Sequence, residues 1–193
     1  MTTTVLSPTF IGFISGYASQ VDTDFWGGNP FIGEGNDLVA AVRRGYVKFD
    51  FSGIPENAIV SSVVLSMTTS DDKSSNARTC RVYRLRRTLA EPCTWNKYDG
   101  TNSWTTAGGF TATDVDTTSS GSCNFSATEA DGTVKTFSLT AADVMQMISG
   151  EFTNKGFMIK MDTESDDEYV FTAASVTLTV TYELPSNNIM WWY

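Results

Sequence analysis

Histidine is absent from this 193-residue chain, so acid–base chemistry would fall to carboxylates, lysine, tyrosine or cysteine. Ser-His-Asp and Cys-His arrangements are therefore excluded. The densest carboxylate group comprises Glu164, Asp166, Asp167 and Glu168. Two of these could flank a glycosidic bond, as in glycosidases, but such a polar run is also typical of a hairpin loop. We favour the loop and predict that the chain is not an enzyme.

The sequence offers candidate ligands for one kind of metal ion. Asp22 and Asp24, or the acidic run, could bind a structural calcium ion through hard oxygen ligands. The three cysteines, Cys80, Cys93 and Cys123, lack CxxC spacing and histidine partners, which excludes a zinc cluster of that kind. At most one disulfide could form, and we favour buried thiols in a reducing compartment. No other cofactor is predicted.

Aromatic side chains point to carbohydrate binding, since flat rings stack on sugars while polar neighbours bond the hydroxyls. Trp26 lies beside a Gly-Gly-Asn-Pro turn and Trp104 follows an Asp-Gly turn. We predict that both rings are exposed on loops and that Tyr98 joins Trp104 in a carbohydrate site. Trp95, by contrast, is expected in the core.

The C-terminal residues Ile189, Met190, Trp191, Trp192 and Tyr193 form an apolar, aromatic tail. Its own sheet could cover it, or it could anchor the chain to a partner, because clustered aromatics are typical of interface hot spots. The sequence leaves both open, and we favour a partner-docking role.

Charge and hydropathy limit the partners. The net charge of −9 disfavours nucleic acid, whose binding depends on Lys and Arg. The basic run of Arg78, Arg81, Arg84, Arg86 and Arg87 is interpreted as a solvated strand face. No stretch has the length of a membrane span, and the N-terminus lacks the pattern of a secretory signal. We therefore expect synthesis in the cytoplasm and no membrane partner.

The elements that would position these residues are mainly strands. Val176, Leu178, Val180 and Tyr182 alternate with threonines, and similar alternation occurs around residues 47–51, 63–67 and 157–161. Gly-, Asn- and Asp-rich turns separate these runs. One short helix is predicted after Thr140, capped by Thr140 with Asp143, burying Val144, Met147 and Ile148 and ending at Gly150. Together these patterns predict a single all-β domain, a sandwich or a barrel, over residues 1–185, followed by the tail at 186–193. We favour the antiparallel β-sandwich of jelly-roll type.

Several segments arrive in a recognisable order. They are residues 45–55 (GYVKFDFSGIP) with the strand at 58–65, the run from Val82 to Asn96, and residues 137–157 around the helix. Over most of the chain these resemble the DNRLRE-type domain, a β-sandwich module that includes polysaccharide-binding modules. The resemblance implies the same fold and a binding role.

Two functional hypotheses follow. In the first, the chain is a non-catalytic bacteriophage virion component, such as a capsid decoration, head-fibre or tail protein, whose partners are other virion proteins, copies of itself or host-surface polysaccharide. In the alternative, it is the polysaccharide-binding module of a secreted bacterial system. The missing signal favours the first, and the aromatic residues suit the second.

Overall fold

A computed structural model describes residues 1–35, 41–72, 76–164 and 171–185. The prediction of an all-β sandwich with one short helix is confirmed. The elements in chain order are β1 Thr2–Leu6, β2 Pro8–Ser15, β3 Phe25–Trp26, β4 Phe31–Gly35, β5 Ala41–Phe49, β6 Ile59–Asp72, β7 Arg78–Arg84, β8 Gly121–Phe125, β9 Val134–Leu139, α1 Ala141–Ile148, β10 Phe157–Met161 and β11 Phe171–Glu183.

The strands form two antiparallel layers. The first sheet has the order β1-β11-β6-β9, and the second has the order β3-β2-β5-β10-β7-β8. Strand β4 joins them, pairing with β11 at Ile32 and with β5 at Gly33. The chain repeatedly crosses from one sheet to the other, as in a jelly roll.

The main core lies between the sheets and confirms the predicted alternation. Leu65 and Leu178 of the first sheet are fully buried against Phe49, Phe157 and Ile159 of the second. Their polar neighbours along each strand face outward because successive side chains point to opposite faces. The alternation of apolar and polar residues thus indicates which side of each strand faces the core.

The outward side of the first sheet is named the hydroxyl face. The strand register aligns Val5, Thr179, Val64 and Ser138 in one row across four strands. The face consists of Thr3 and Val5 on β1, Ser175, Thr177, Thr179 and Thr181 on β11, Ser62, Val64, Ser66 and Thr68 on β6, and Val134, Thr136 and Ser138 on β9.

The outward side of the second sheet is covered by residues 86–120, here named the lid. A second apolar cluster fills the space between them and consists of Ile14, Tyr46, Tyr83, Leu85, Cys93, Trp104, Val115 and Met158. Gly108 and Gly109 have positive φ, and a methyl group on either would lie within 2.7 Å of a tryptophan ring. Glycine at both positions therefore lets the lid backbone pass close to Trp95 and Trp104.

The helix forms where predicted and buries Val144, Met147 and Ile148. Thr140 occupies the predicted N-cap position, but its hydroxyl makes no cap hydrogen bond and donates instead to the Ser120 carbonyl oxygen at 3.0 Å. Asp143 accepts a hydrogen bond from the Ser120 hydroxyl. Within the described ranges, no helix is long and apolar enough to cross a membrane.

Candidate functional site

An open groove lies beside the end of β7, between the lid and the helix, and is named the Arg86 groove. It contains two cavities, of about 530 Å³ and 330 Å³, that share Arg86 in their walls. The larger is lined by Arg86, Ala112, Thr113, Glu151, Phe152, Thr153 and Lys155. The smaller is lined by Arg84, Arg86, Asp116, Thr117, Thr118, Ser119, Thr140 and Asp143. Both have volumes typical of ligand sites.

An ion-pair network fixes the wall between the two cavities. Asp116 accepts hydrogen bonds from Nε of Arg84 and Nε of Arg86, each at 2.7 Å. Arg84 also donates to Gln146 Oε1 at 2.6 Å, and its side chain is only 14% exposed. Arg86 remains half exposed. The two guanidinium groups therefore share one carboxylate, and Arg86 presents more free surface to the groove than Arg84.

Phe152 gives the groove an aromatic wall. Its ring lies 4.3 Å from the Arg84 guanidinium carbon, which holds the ring in place, and it packs partly against the main core. Lys155 Nζ donates to the Arg86 carbonyl oxygen at 2.7 Å, and Glu151 Oε1 accepts from Gln146 at 3.4 Å. The groove thus combines a ring with donors and acceptors, as suits a ligand rich in hydroxyl groups.

The basic run differs from its interpretation as a solvated face. Arg81 pairs with Asp162, and Arg87 with the fully buried Asp114. Arg84 is mostly buried in its pair with Asp116. Because each acidic partner lies far along the chain, the sequence spacing of the arginines could not indicate that they were paired.

The prediction that Trp104 is an exposed ring is wrong. Trp104 is 5% exposed, and its indole nitrogen donates to the Thr94 carbonyl oxygen at 3.0 Å. Tyr98 does join it, with ring centroids 5.5 Å apart, and is itself partly buried under the Arg87 guanidinium. These rings pack the lid onto the sheet, so Trp104 offers no face to a sugar.

Trp26 is exposed, as predicted, with 37% of its surface accessible. It lies on β3 and makes an edge contact with the ring of Phe10. Trp95, expected in the core, is partly buried against the second cluster, with the Arg44 guanidinium 5.1 Å from its ring centroid. Trp26 is thus the predicted sugar-binding aromatic that remains well exposed.

The two aspartates considered for calcium have protein partners. Asp22 accepts a hydrogen bond from the Asn96 amide at 2.9 Å, and Asp24 accepts one from the Trp26 backbone at 3.0 Å. Across the residues with described structure, no group of three or more His, Cys, Asp or Glu side chains could hold a metal ion. The calcium site gains no support from this arrangement.

Glu164, the described member of the acidic run, belongs to a charge cluster under the lid. Arg44 donates to both of its carboxylate oxygens, at 2.9 and 2.8 Å, and Lys160 Nζ lies 3.4 Å away. Burial lowers the pKa of Lys160, whereas the charge of Glu164 opposes this shift. A carboxylate paired with two cations is suited to stabilising the fold. The other residues of the acidic run, Asp166, Asp167 and Glu168, lie outside the described residues.

The predicted docking tail, Ile189 to Tyr193, also lies outside the described residues.

The Arg86 groove was missed by the sequence analysis because its residues come from four separate segments. One local signal could have drawn attention to it, since Phe152 is an aromatic residue in the otherwise polar turn after the helix.

Comparison with known protein families gives a match over most of the chain. The model of a family described as disaggregatase related repeat domain matches residues 19–181. The matched range includes the lid, the helix and every residue of the Arg86 groove. No curated protein matches the sequence.

Proposed function

The chain belongs to the disaggregatase-related repeat domain family, and from this membership we propose that it is a non-catalytic polysaccharide-binding domain that holds sugars in the Arg86 groove. The family description suggests a polysaccharide-related domain. The observation that carries the proposal is the placement of Phe152 in an open groove between hydrogen-bonding groups of both kinds.

The groove favours a sugar over an apolar ligand. Arg86 and Lys155 supply donors, Glu151 supplies acceptors, and the Thr113 and Thr153 side chains line the same cavity. Phe152 offers an apolar surface for the C–H face of a sugar ring. The cavity of about 530 Å³ is open to solvent, as a chain-like ligand that extends beyond the site requires.

Binding without catalysis is favoured by the state of the carboxylates. Asp116 is held by two arginines, and Asp143 accepts a hydrogen bond from Ser120. A glycosidase needs one carboxyl group that donates a proton and a second that acts as base or nucleophile. Asp116 and Asp143 are each already engaged by hydrogen-bond donors of the protein, which leaves them less available to a scissile bond.

Retention of the full chain on a panel of immobilised neutral and acidic polysaccharides tests the proposal. We expect Phe152→Ala and Arg86→Gln each to weaken retention by about tenfold, equivalent to about 1.4 kcal/mol. Arg86→Gln is the milder change for the fold, since it keeps a polar, though shorter, side chain at a half-exposed position. Melting temperatures establish that each variant is folded.

Two matched variants serve as controls. Arg81→Gln removes an arginine from an ion pair outside the groove, and Trp26→Ala removes the exposed aromatic ring on β3. Both should retain polysaccharide like the wild type. Absence of retention by the wild type on every polysaccharide, or loss only in Trp26→Ala, would refute binding in the Arg86 groove.

The more specific hypotheses remain predictions from sequence. Similarity to the DNRLRE-type domain stays such a prediction, and the β-sandwich that it implied agrees with the matched family. The virion hypothesis predicts that removal of Ile189 to Tyr193 abolishes incorporation into a particle or oligomer formation.

A further inference from the structure

The hydroxyl face of the first sheet has the properties of a contact surface, and we propose that it docks against the same face of a second copy of this domain. This surface is separate from the Arg86 groove, because none of its residues lines either cavity. Two such faces could stack as the sheets of a sandwich do, about 10 Å apart.

The face is unusually poor in charge for a chain of net charge −9. None of the residues that make up the face carries a charge, and Glu183 on β11 lies just beyond one end of it. Two copies repel each other over most of their surfaces, so close contact is least costly where neither copy carries charge. The hydroxyl face provides that area.

Its hydroxyl groups are partly satisfied within the face. Thr3 and Thr181 share a hydrogen bond of 3.2 Å, and Ser175 donates to Thr68 at 3.0 Å. A hydroxyl that already has a partner loses less when water is removed. These lateral bonds lower the cost of covering the face.

Exposed apolar side chains lie on the two edge strands of this face and at one end of it. Val5 and Val134 are 63% and 60% exposed, and Ile59 and Leu184 beside Glu183 are 48% and 56% exposed. These four are a majority of the seven large apolar residues exposed in the described structure, which also include Met1, Trp26 and Met145. Val5 and Val134 lie on opposite edge strands, so these side chains border the hydroxyl groups and would lose contact with water when a partner covers the face.

A second copy is the occupant that fits these properties. A basic partner would require acidic residues on the face, and a sugar would gain little from a surface without exposed aromatic rings. The family description calls the domain a repeat. A flat face of hydroxyl and valine side chains is complementary to itself.

The size of the face predicts a weak contact. Four strands about 4.8 Å apart and seven residues of about 3.3 Å each give roughly 440 Å² per copy. Two faces would bury roughly 900 Å², which lies in the range of contacts between domains of one chain and below that of stable complexes. Separate copies should therefore associate only at high concentration.

Sedimentation velocity of the full chain from about 10 µM to 1 mM tests this, since the expected contact is at the weak end of the known range. We expect reversible dimers at the upper concentrations, and no weakening in 0.5 M NaCl, because salt screens the repulsion between copies. Thr179→Glu at the centre of the face and Thr136→Glu at an exposed position should each reduce association at least tenfold. Ser122→Glu, on a strand of the second sheet, is the matched control and should leave it unchanged.

Three results would overturn the proposal. The wild type could remain monomeric at every concentration, or Ser122→Glu could reduce association as much as the two face variants. A chain ending at Pro185 could also lose its association, which would make the C-terminal tail the occupant of the face. Polysaccharide retention measured in parallel is expected to stay normal in the face variants, so the two proposals can fail independently.

Discussion

The hydroxyl of Tyr46 lies beneath the lid in a position that should cost stability. Tyr46 is 1% exposed, and its ring centroid lies 5.0 Å from that of Phe10. Within the described residues, its Oη has no hydrogen-bond partner. Burial raises the pKa of this phenol, so it remains protonated and neutral. The ring contributes packing, while the hydroxyl is left without compensation for its lost hydration.

Tyr46→Phe removes only that hydroxyl and should stabilise the protein. An unsatisfied buried polar group costs about 1–3 kcal/mol, so we expect the free energy of unfolding to rise by about 1 kcal/mol. For a domain of this size, that corresponds to an increase of about 2–4 °C in the melting temperature. We expect a gain at the lower end of the 1–3 kcal/mol range, because removing the oxygen also leaves a small void.

Urea unfolding followed by tryptophan fluorescence measures this change, with the slope of the free energy against urea expected to stay constant. Tyr182→Phe is the control, because Tyr182 is also largely buried but its hydroxyl is not left unsatisfied. The control should gain no stability. A loss of more than about 0.5 kcal/mol in Tyr46→Phe would show that Oη has a favourable partner, and the reasoning would be wrong.

A substitution at Gly12 gives a second test of the position of the Tyr46 hydroxyl. A methyl group on Gly12 would lie 2.4 Å from Tyr46 Oη and 2.6 Å from the Phe25 carbonyl oxygen. Gly12→Ala should therefore cost about 1–3 kcal/mol through overpacking. In the Tyr46→Phe background the cost should fall but not vanish, since the contact with the backbone oxygen remains. Equal costs in both backgrounds would place the Tyr46 hydroxyl elsewhere.

Three other outcomes test the ion pairs and the lid. Asp116→Ala should lower the free energy of unfolding by about 2 kcal/mol, because it removes the closer carboxylate partner of the mostly buried Arg84 and leaves Asp143 at 3.5 Å, whereas Arg86→Ala, at a half-exposed position, should cost under about 1 kcal/mol; urea unfolding compares the two. Trp104→Phe should cost about 2 kcal/mol through the lost indole hydrogen bond and packing, measured in the same way. Hydrogen bonds from a neighbouring lysine and a serine backbone hold the pKa of Glu129 below its usual range. The unfolded chain therefore takes up this proton first on acidification, and stability is lost as the pH falls below about 4.3. Melting temperatures from pH 7 to 3 should fall less steeply for Glu129→Gln.

The fold could be predicted from sequence because its signals are local. Alternation along each strand records which side chains face the core, and Leu178 and Leu65 are buried as the pattern requires. The helix was equally visible from the spacing of Val144 and Met147. The hydrogen bonding at its cap was not, because the Thr140 hydroxyl bonds to Ser120, whose position depends on the tertiary fold.

The candidate site could not be predicted because it depends on distant contacts. A segment rich in threonine, serine and glycine suggests an exposed loop, yet residues 86–120 carry Trp104 and Val115 onto the second sheet. Covering that sheet buries the ring expected to bind sugar. Asp116 and Arg84 likewise lie more than 30 residues apart in the sequence. The residues around them in sequence do not indicate that they form a pair.

The lid also determines where a ligand can bind. The face of the second sheet that it covers is filled by the cluster around Tyr46 and Met158, so a sugar cannot lie across those strands. At the margin of the lid, however, the Arg84–Asp116 pair fixes one wall of an open groove, and the loop after the helix contributes Phe152 opposite the lid. The hydroxyl face, on the other sheet, shares none of these residues. If both proposals hold, one domain can contact a neighbouring copy while its groove holds polysaccharide, and sugar retention should be the same for monomeric Thr136→Glu as for the associating wild type.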